Sequence, residues 1–428
     1  MSETTTTVLV RNIGQLITMA GPVPRLGADL RELGLVRNGA VALSNEVVTA
    51  AGPCDEVERS ISPAADCVVI DADGAVVTPG LIDPHTHPVF AKTREMEFEM
   101  RILGKSYMEI AEAGGGIRSS VRDLRTTPRD VIVEKSRKRL DRILAHGVTT
   151  IEAKSGYGLS TESEIMTLEI IRELNRSHPL DLIPTFLGAH EVPDEYRGRT
   201  DEYIDLINHE MLPRVVQGRL AEFSDIFTET GVFDIEQSRR VQQAAKDAGL
   251  GLKFHADELT PLGGAELAAE MGAVSADHLV YITDRGIRAM AESGTVAVLL
   301  PGTTFALGHT QYAPARRMIE EGVVVSLSTD CNPGSSYTEN LSLIISIAAL
   351  RMKMTAAEAI SAVTVNAAVA LNRGNRLGQL LPGRQADLVI WDMQDYREFP
   401  YHYGINPARV VIKRGKVAVN NQLTGVVH

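Results

Sequence analysis

Five of the eleven histidines in this chain stand where chemistry could be done. His85 and His87 form an HxH pair in an extended segment, Thr78 to His87. Side chains on a strand alternate with period two, so both imidazoles point the same way. Two imidazoles on one rigid strand are a start to a metal site, although such pairs also occur without a metal. His255 ends an apolar run, Leu250 to Phe254, and Asp330 follows another, Val323 to Leu327. Together these four give three neutral nitrogens and one carboxylate, a set that suits one Zn or Fe ion with a position open for water. A core histidine satisfied by hydrogen bonds is the bland reading of His255. For Asp330 it is a turn cap, since Asp-Cys-Asn-Pro-Gly is also turn chemistry.

Other polar residues share these slots. Glu258, three residues past His255, could shuttle a proton. Asp257 beside it reads as a solvent-facing or capping residue. His278 could be a ligand, a supporting group or an oxyanion stabiliser. Lys154-Ser155-Gly156-Tyr157, His190-Glu191 and the run Asp330, Asn332, Gly334, Ser335 also follow apolar runs. Arg94, seven residues past the histidine pair, could clamp a carboxylate through two hydrogen bonds, or simply pair with Glu95, Glu97 or Glu99. Tyr107 and Tyr157 are notable in a chain only 5% aromatic. Thr228-Glu229 fills the slot after the fourth run. No lysine that could bridge two metals stands there, which favours one ion.

Those slots belong to eight strand-like runs, Val76 to Ile82, Val148 to Glu152, Leu182 to Leu187, Phe223 to Phe227, Leu250 to Phe254, Ala273 to Ala276, Thr295 to Leu300 and Val323 to Leu327. Helical patterns lie between most of them. Arg129 to Ala145 is opened by Thr127-Pro128 and stopped by Gly147, and Thr355-x-x-Glu358 is a capping box. Eight strand–helix repeats predict a TIM (β/α)8 barrel, whose catalytic groups sit at the C-terminal strand ends. A doubly wound open sheet is the alternative. Both termini are rich in short strands: Val8 to Arg11, Leu35 to Leu43, Val47 to Val48 and Val68 to Val77 at one end, Ala386 to Trp391 and Val410 to Val419 at the other. Arg414-Gly415 reads as a hairpin tip. The expected division is residues 1–75 and 373–428 in a composite, β-sandwich-like small domain, and 76–372 in the barrel.

Composition narrows the class. The 428 residues carry 43 Lys and Arg against 55 Asp and Glu, a net charge of −12, which argues against nucleic acid. The basic run Lys135 to Arg142 reads as the solvated face of a helix. Three cysteines without a CxxC pair argue against disulfides and thiolate zinc, and fit a reducing cytoplasm. No apolar run of about 18 residues occurs, so no membrane span is expected. The Gly114–Gly116 run lacks phosphate-loop spacing, and no GxSxG elbow occurs.

The segments TPGLIDPHTH and GRQADLVI resemble the amidohydrolase superfamily. HTHPVFAKTREMEFEM, EAKSGYGLS, FLGAHEVP, FHADEL, SADHL and STDCNPGSS resemble its imidazolonepropionase family. The resemblance covers nearly the whole chain. It implies a (β/α)8 barrel with a terminal β-sandwich-like domain, and one Zn or Fe ion on His85, His87, His255 and Asp330. Arg94, Tyr107, Tyr157, His190, Glu258, Asn332, Gly334 and Ser335 would line the pocket, with Glu258, His278 and Asp330 catalytic. Thr228 stands where the family pattern leads one to expect a cysteine. The implied reaction is hydrolysis of 4-imidazolone-5-propanoate to N-formimidoyl-L-glutamate. The implied partner is this small anionic heterocycle, with no nucleic acid or membrane, and a homodimer is compatible with the resemblance. A nucleobase deaminase would share the ligand set but would not need Arg94, and a non-catalytic barrel would be expected to have lost ligand slots.

Overall fold

The structure is a computed structural model and describes residues 5–105, 109 and 114–421. Eight parallel strands form the central sheet: β6 (Leu81–Asp83), β7 (Val148–Lys154), β8 (Asp181–Ala189), β9 (Phe223–Thr228), β10 (Gly251–Ala256), β11 (Ser275–His278), β12 (Val296–Leu299) and β13 (Val325–Leu327). They run in sequence order, each paired with the next. Side chains and a single bridge, rather than a full ladder, join the first strand to the last. The Asp83 carboxylate accepts from Ser328 Oγ and from Thr329 N (3.0 Å) and Oγ1 (2.6 Å), and His87 N donates to Cys331 O at 2.9 Å. These bonds draw the His85–His87 segment against the Asp330 loop.

The second sheet is built from both ends of the chain. It contains β1 (Thr5–Ile17), β2 (Leu35–Ser44), β3 (Val47–Pro53), β4 (Ser62–Asp71), β5 (Val76–Pro79), β14 (Leu388–Trp391), β15 (Ala408–Lys413) and β16 (Lys416–Asn420). Its path is β16-β15-β14-β5-β1-β2-β3, with β4 beside β1. Arg414-Gly415 is the hairpin tip between β15 and β16. The expected single strand Val76 to Ile82 is instead two. β5 pairs with β1 and β14, β6 pairs with β7, and Gly80 lies between them, where a Cβ would press into Thr149. Likewise Val68 to Val77 is broken by the turn 72–75. The fully buried Trp391 ties the sheets together: its indole N–H donates to Thr78 Oγ1 at 2.9 Å, and its ring packs on Gly147, where a Cβ would come within 2.6 Å.

The helix Arg129–Ala145 has the expected bounds, but its basic face is not simply solvated. Lys135 Nζ donates to Ala91 O at 2.8 Å. Arg139 is buried, lies 3.4 Å over the Phe90 ring and donates to Pro88 O and Phe90 O. The helix therefore grips the loop that follows the histidine pair. Helical periodicity cannot separate a polar residue facing water from one facing loop carbonyls. Among the described residues no helix is long and apolar enough to cross a membrane.

Candidate active site

His85, His87, His190, His255 and His278 meet at the C-terminal end of the barrel. Ring centroids are 4.5 Å apart for His85 and His255, 5.3 Å for His85 and His87, 5.2 Å for His255 and His278, and 5.1 Å for the stacked pair His87 and His190. One donor atom from each of His85, His87 and His255 lies within 4.8 Å of the others. Asp330 Oδ1 is 3.5 Å from His85 Nε2 and 3.6 Å from His87 Nε2. His85 Nε2 is buried with no hydrogen-bond partner, an arrangement that costs stability unless something else satisfies the nitrogen. A cation held by three imidazoles and a carboxylate satisfies it, so these residues fit a metal. Burial above all, with the charge of Lys154, keeps both imidazoles neutral, the form that ligates. At His255 burial works against the cation, but Asp225 outweighs it and raises the pKa.

Other residues singled out in the sequence lie around this cluster. Glu258 is half-buried with Oε2 3.5 Å from His278 Nε2. Burial and the charge of Asp330 push its pKa up to about 8. Burial also raises Asp330 to about 6, against a 2.6 Å hydrogen bond donated by Thr303 Oγ1. Tyr157 is buried with its ring centroid 5.8 Å from His87 and 5.4 Å from His190. His190 Nδ1 lies 3.0 Å from Gly156 O, and burial lowers its pKa to about 3. Arg94 packs on Gly334, where any Cβ would overlap the guanidinium, and its charge reaches Tyr157 and His190. Its Nε is buried without a hydrogen-bond partner, and Glu97 is 3.8 Å away, so the salt-bridge reading is weak. The Asn332 amide is spent on its own loop, donating to Asp330 O and Ser335 Oγ and accepting from Gly334 N and Ser335 N. Gly334 and Ser335 are half-buried in that loop. Tyr107 lies outside the described residues.

Of the two readings of Asp257, the capping one holds: it is fully buried and caps the helix Gly264–Met271, accepting from Gly263 N, Gly264 N and Ala265 N at 2.8–3.2 Å. One reading needs correction. Lys154 does not follow its strand but ends it, and points into the barrel. There it joins charges that strand-end reasoning passed over. Lys154 Nζ is 2.7 Å from Asp225, 2.9 Å from Glu152 and 3.7 Å from Asp277. Lys253 Nζ is 3.2 Å from Glu152. Asp277 Oδ2 lies 2.6 Å from His85 Nδ1, and Asp225 Oδ2 lies 2.9 Å from His255 Nδ1. The available signal was alternation: Glu152 and Lys154, or Lys253 and His255, recur two apart inside otherwise apolar strands. His85, Glu152 and Asp277 also come close enough to hold an ion, but the two ammonium groups already occupy Glu152. One metal therefore fits better than two.

Sequence reasoning also missed Glu164. Its buried carboxylate accepts from Gly156 N, Gly158 N and Leu159 N, and Arg125 donates to Gly158 O and Leu159 O. These bonds hold the loop that presents Tyr157. Gly156 sits at φ +109°, with no room for a Cβ beside His190 and Leu187. Cys331 is buried, which pushes its thiol pKa up and leaves it inert.

The amidohydrolase family model matches residues 76–420. The chain is 52% identical to the imidazolonepropionase of Geobacillus kaustophilus over 97% of its own length and 98% of that protein's. Among solved structures it resembles the guanine deaminase of E. coli, with TM-score 0.73 and 14% identity over 96% of this chain and 98% of that one. An adenosine deaminase from Xanthomonas campestris with bound zinc matches at TM-score 0.68 and 17% identity over 98% and 94%. These two likenesses speak to the fold, whereas the family match and the half-identical relative speak to descent: the chain belongs to the amidohydrolase family, among its imidazolonepropionases.

Proposed function

We propose that this chain hydrolyses the ring amide of 4-imidazolone-5-propanoate to N-formimidoyl-L-glutamate, a step of histidine degradation, using the residues gathered at the barrel mouth. Within the family, the observation that carries the substrate assignment is Arg94: a half-buried guanidinium whose buried Nε makes no hydrogen bond, with Glu97 no nearer than 3.8 Å, fitted against a glycine beside the histidine cluster. Such a group calls for an anion. A neutral nucleobase would give it nothing to bind, which sets the deaminase reading aside.

His85, His87, His255 and Asp330 would hold one Zn or Fe ion. When bound, that ion supplies water activated near neutral pH and a Lewis acid for the ring carbonyl. Arg94, with Tyr107 and Tyr157, binds the propanoate and fixes the ring in the pocket. His190 hydrogen-bonds the ring, and the Asn332–Ser335 loop receives the new carboxylate. His278 donates to the carbonyl oxygen as negative charge develops there. Without the ion, burial raises the Asp330 and Glu258 carboxyls to about 6 and about 8, on either side of neutrality. Such a pair divides proton removal from the attacking water and proton delivery to the leaving nitrogen.

The test follows the ultraviolet absorbance of freshly prepared substrate, with metal content measured on the same sample. Loss of the ring signal, abolished by a chelator and by His255→Ala, is the expected result. A fully loaded enzyme without turnover would overturn the substrate assignment.

A further inference from the structure

Lys154 and Lys253 are both fully buried inside the barrel, yet they differ in what they touch. Burying an ammonium costs several kcal/mol unless it is well paired, and a methionine would fill the same space. Lys253 reaches Glu152 Oε1 at 3.2 Å and Pro84 O at 3.3 Å. Lys154 also contacts Glu152, but its other two partners are particular oxygen atoms. It lies 2.7 Å from Asp225 Oδ2, the same atom that stands 2.9 Å from His255 Nδ1. It lies 3.7 Å from Asp277 Oδ2, the same atom that stands 2.6 Å from His85 Nδ1. One ammonium thus leans on both oxygens that face the candidate ligands of two different strands.

We propose that Lys154 is a positioning residue for the metal site, fixing Asp225 and Asp277 so that His255 and His85 both turn their Nε2 atoms toward one ion. The inference rests on the ligand set proposed above. A carboxylate behind a ligating histidine sets the ring's tautomer and orientation, and such partners are typically worth 10- to 100-fold in metal affinity. Here two such carboxylates share one cation. Without it, two like charges would face each other across the barrel and swing apart, taking both imidazoles with them. Glu152 completes the arrangement by holding the ammonium from a third side, 2.9 Å away.

The experiment uses the full chain, stripped of metal and titrated with zinc against a competing chelator, with cobalt absorption spectra and the melting temperature of the metal-free protein recorded in parallel. Lys154→Met should raise the zinc Kd 10- to 100-fold and change the cobalt spectrum. Lys253→Met removes an equally buried charge. It should lower the melting temperature while leaving the zinc Kd within threefold of wild type. In an Asp225→Asn background, Lys154→Met should add less than it does alone. Lys154→Gln is measured beside Lys154→Met. A folded Lys154 variant with an unchanged Kd overturns the proposal. So does failure of both Lys154 variants to fold while Lys253→Met folds, since the lysine would then serve the fold alone. A wild-type chain that takes up no zinc or cobalt overturns the ligand set itself, and the inference with it.

Discussion

Glu258→Gln should lower activity and raise stability at the same time, and each effect has its own pH signature. Desolvation and the charge of Asp330 hold the carboxyl's pKa at about 8 against an ordinary 4.5. A carboxyl with a raised folded pKa binds its proton more tightly in the folded chain than in the unfolded one. Stability therefore falls as pH rises from the unfolded value to the folded value, and there is no penalty below both. At about 1.4 kcal/mol per pKa unit, the penalty is about 1 kcal/mol at pH 5, about 3 kcal/mol at pH 7 and between about 4 and 5 kcal/mol at pH 8.5. Glutamine keeps the shape and cannot ionise. The stability gap between variant and wild type should widen by about 4 kcal/mol between pH 5 and pH 8.5.

Urea unfolding of the chelator-treated proteins at the two pH values measures that gap. The metal-free form is used because a bound cation would favour the carboxylate and narrow it. Turnover of the loaded variant should fall about 10²- to 10⁴-fold, with metal content unchanged. A gap that stays constant with pH would mean that Glu258 titrates normally in the folded chain. Near wild-type turnover would move proton transfer to Asp330. Both results together would refute the role given to Glu258.

The other expectations are simpler. Arg94→Ala should raise KM about 10- to 100-fold while changing kcat far less, because it removes a charge-assisted contact made in ground and transition states alike. Gly334→Ala should raise KM in the same direction, since the new Cβ must displace the Arg94 guanidinium; steady-state kinetics checks both. Glu164→Gln should weaken the anchor of the Tyr157 loop, costing about 1–3 kcal/mol. Hydrogen exchange at Gly156, Gly158 and Leu159 should speed up, and unchanged exchange there would remove Glu164 from that role.

What the sequence made legible follows the reach of its periodicities. His85-x-His87, His255, His278 and Asp330 could be found because strand alternation and the strand-end rule are local: they need only a strand and the residue that ends it. The helix Arg129–Ala145 is bounded correctly because its stop, Gly147, is local too. What failed was whatever needed a second segment to make sense. The run Val76 to Ile82 looks continuous, and only its partners, β1 and β14 on one side of Gly80 and β7 on the other, show that it serves two sheets. Arg139 and Lys135 look solvated until the loop carbonyls of Pro88, Phe90 and Ala91 are set against them.

The charges beneath the histidines are the extreme case. Glu152, Lys154, Asp225, Lys253 and Asp277 each sit in a strand otherwise read as apolar, and each alone would count against burial in a barrel core. Their placement becomes intelligible only when β7, β9, β10 and β11 close around one axis and bring three carboxylates to two ammonium groups. The remaining negative charge lies directly behind His85 and His255, through Asp277 and Asp225. A cation held on the far side of those imidazoles would complete the balance. The same five residues that make the barrel interior a poor hydrophobic core thus make it a suitable floor for a metal centre, and the stability lost by burying them is the physical reason to look for their function there.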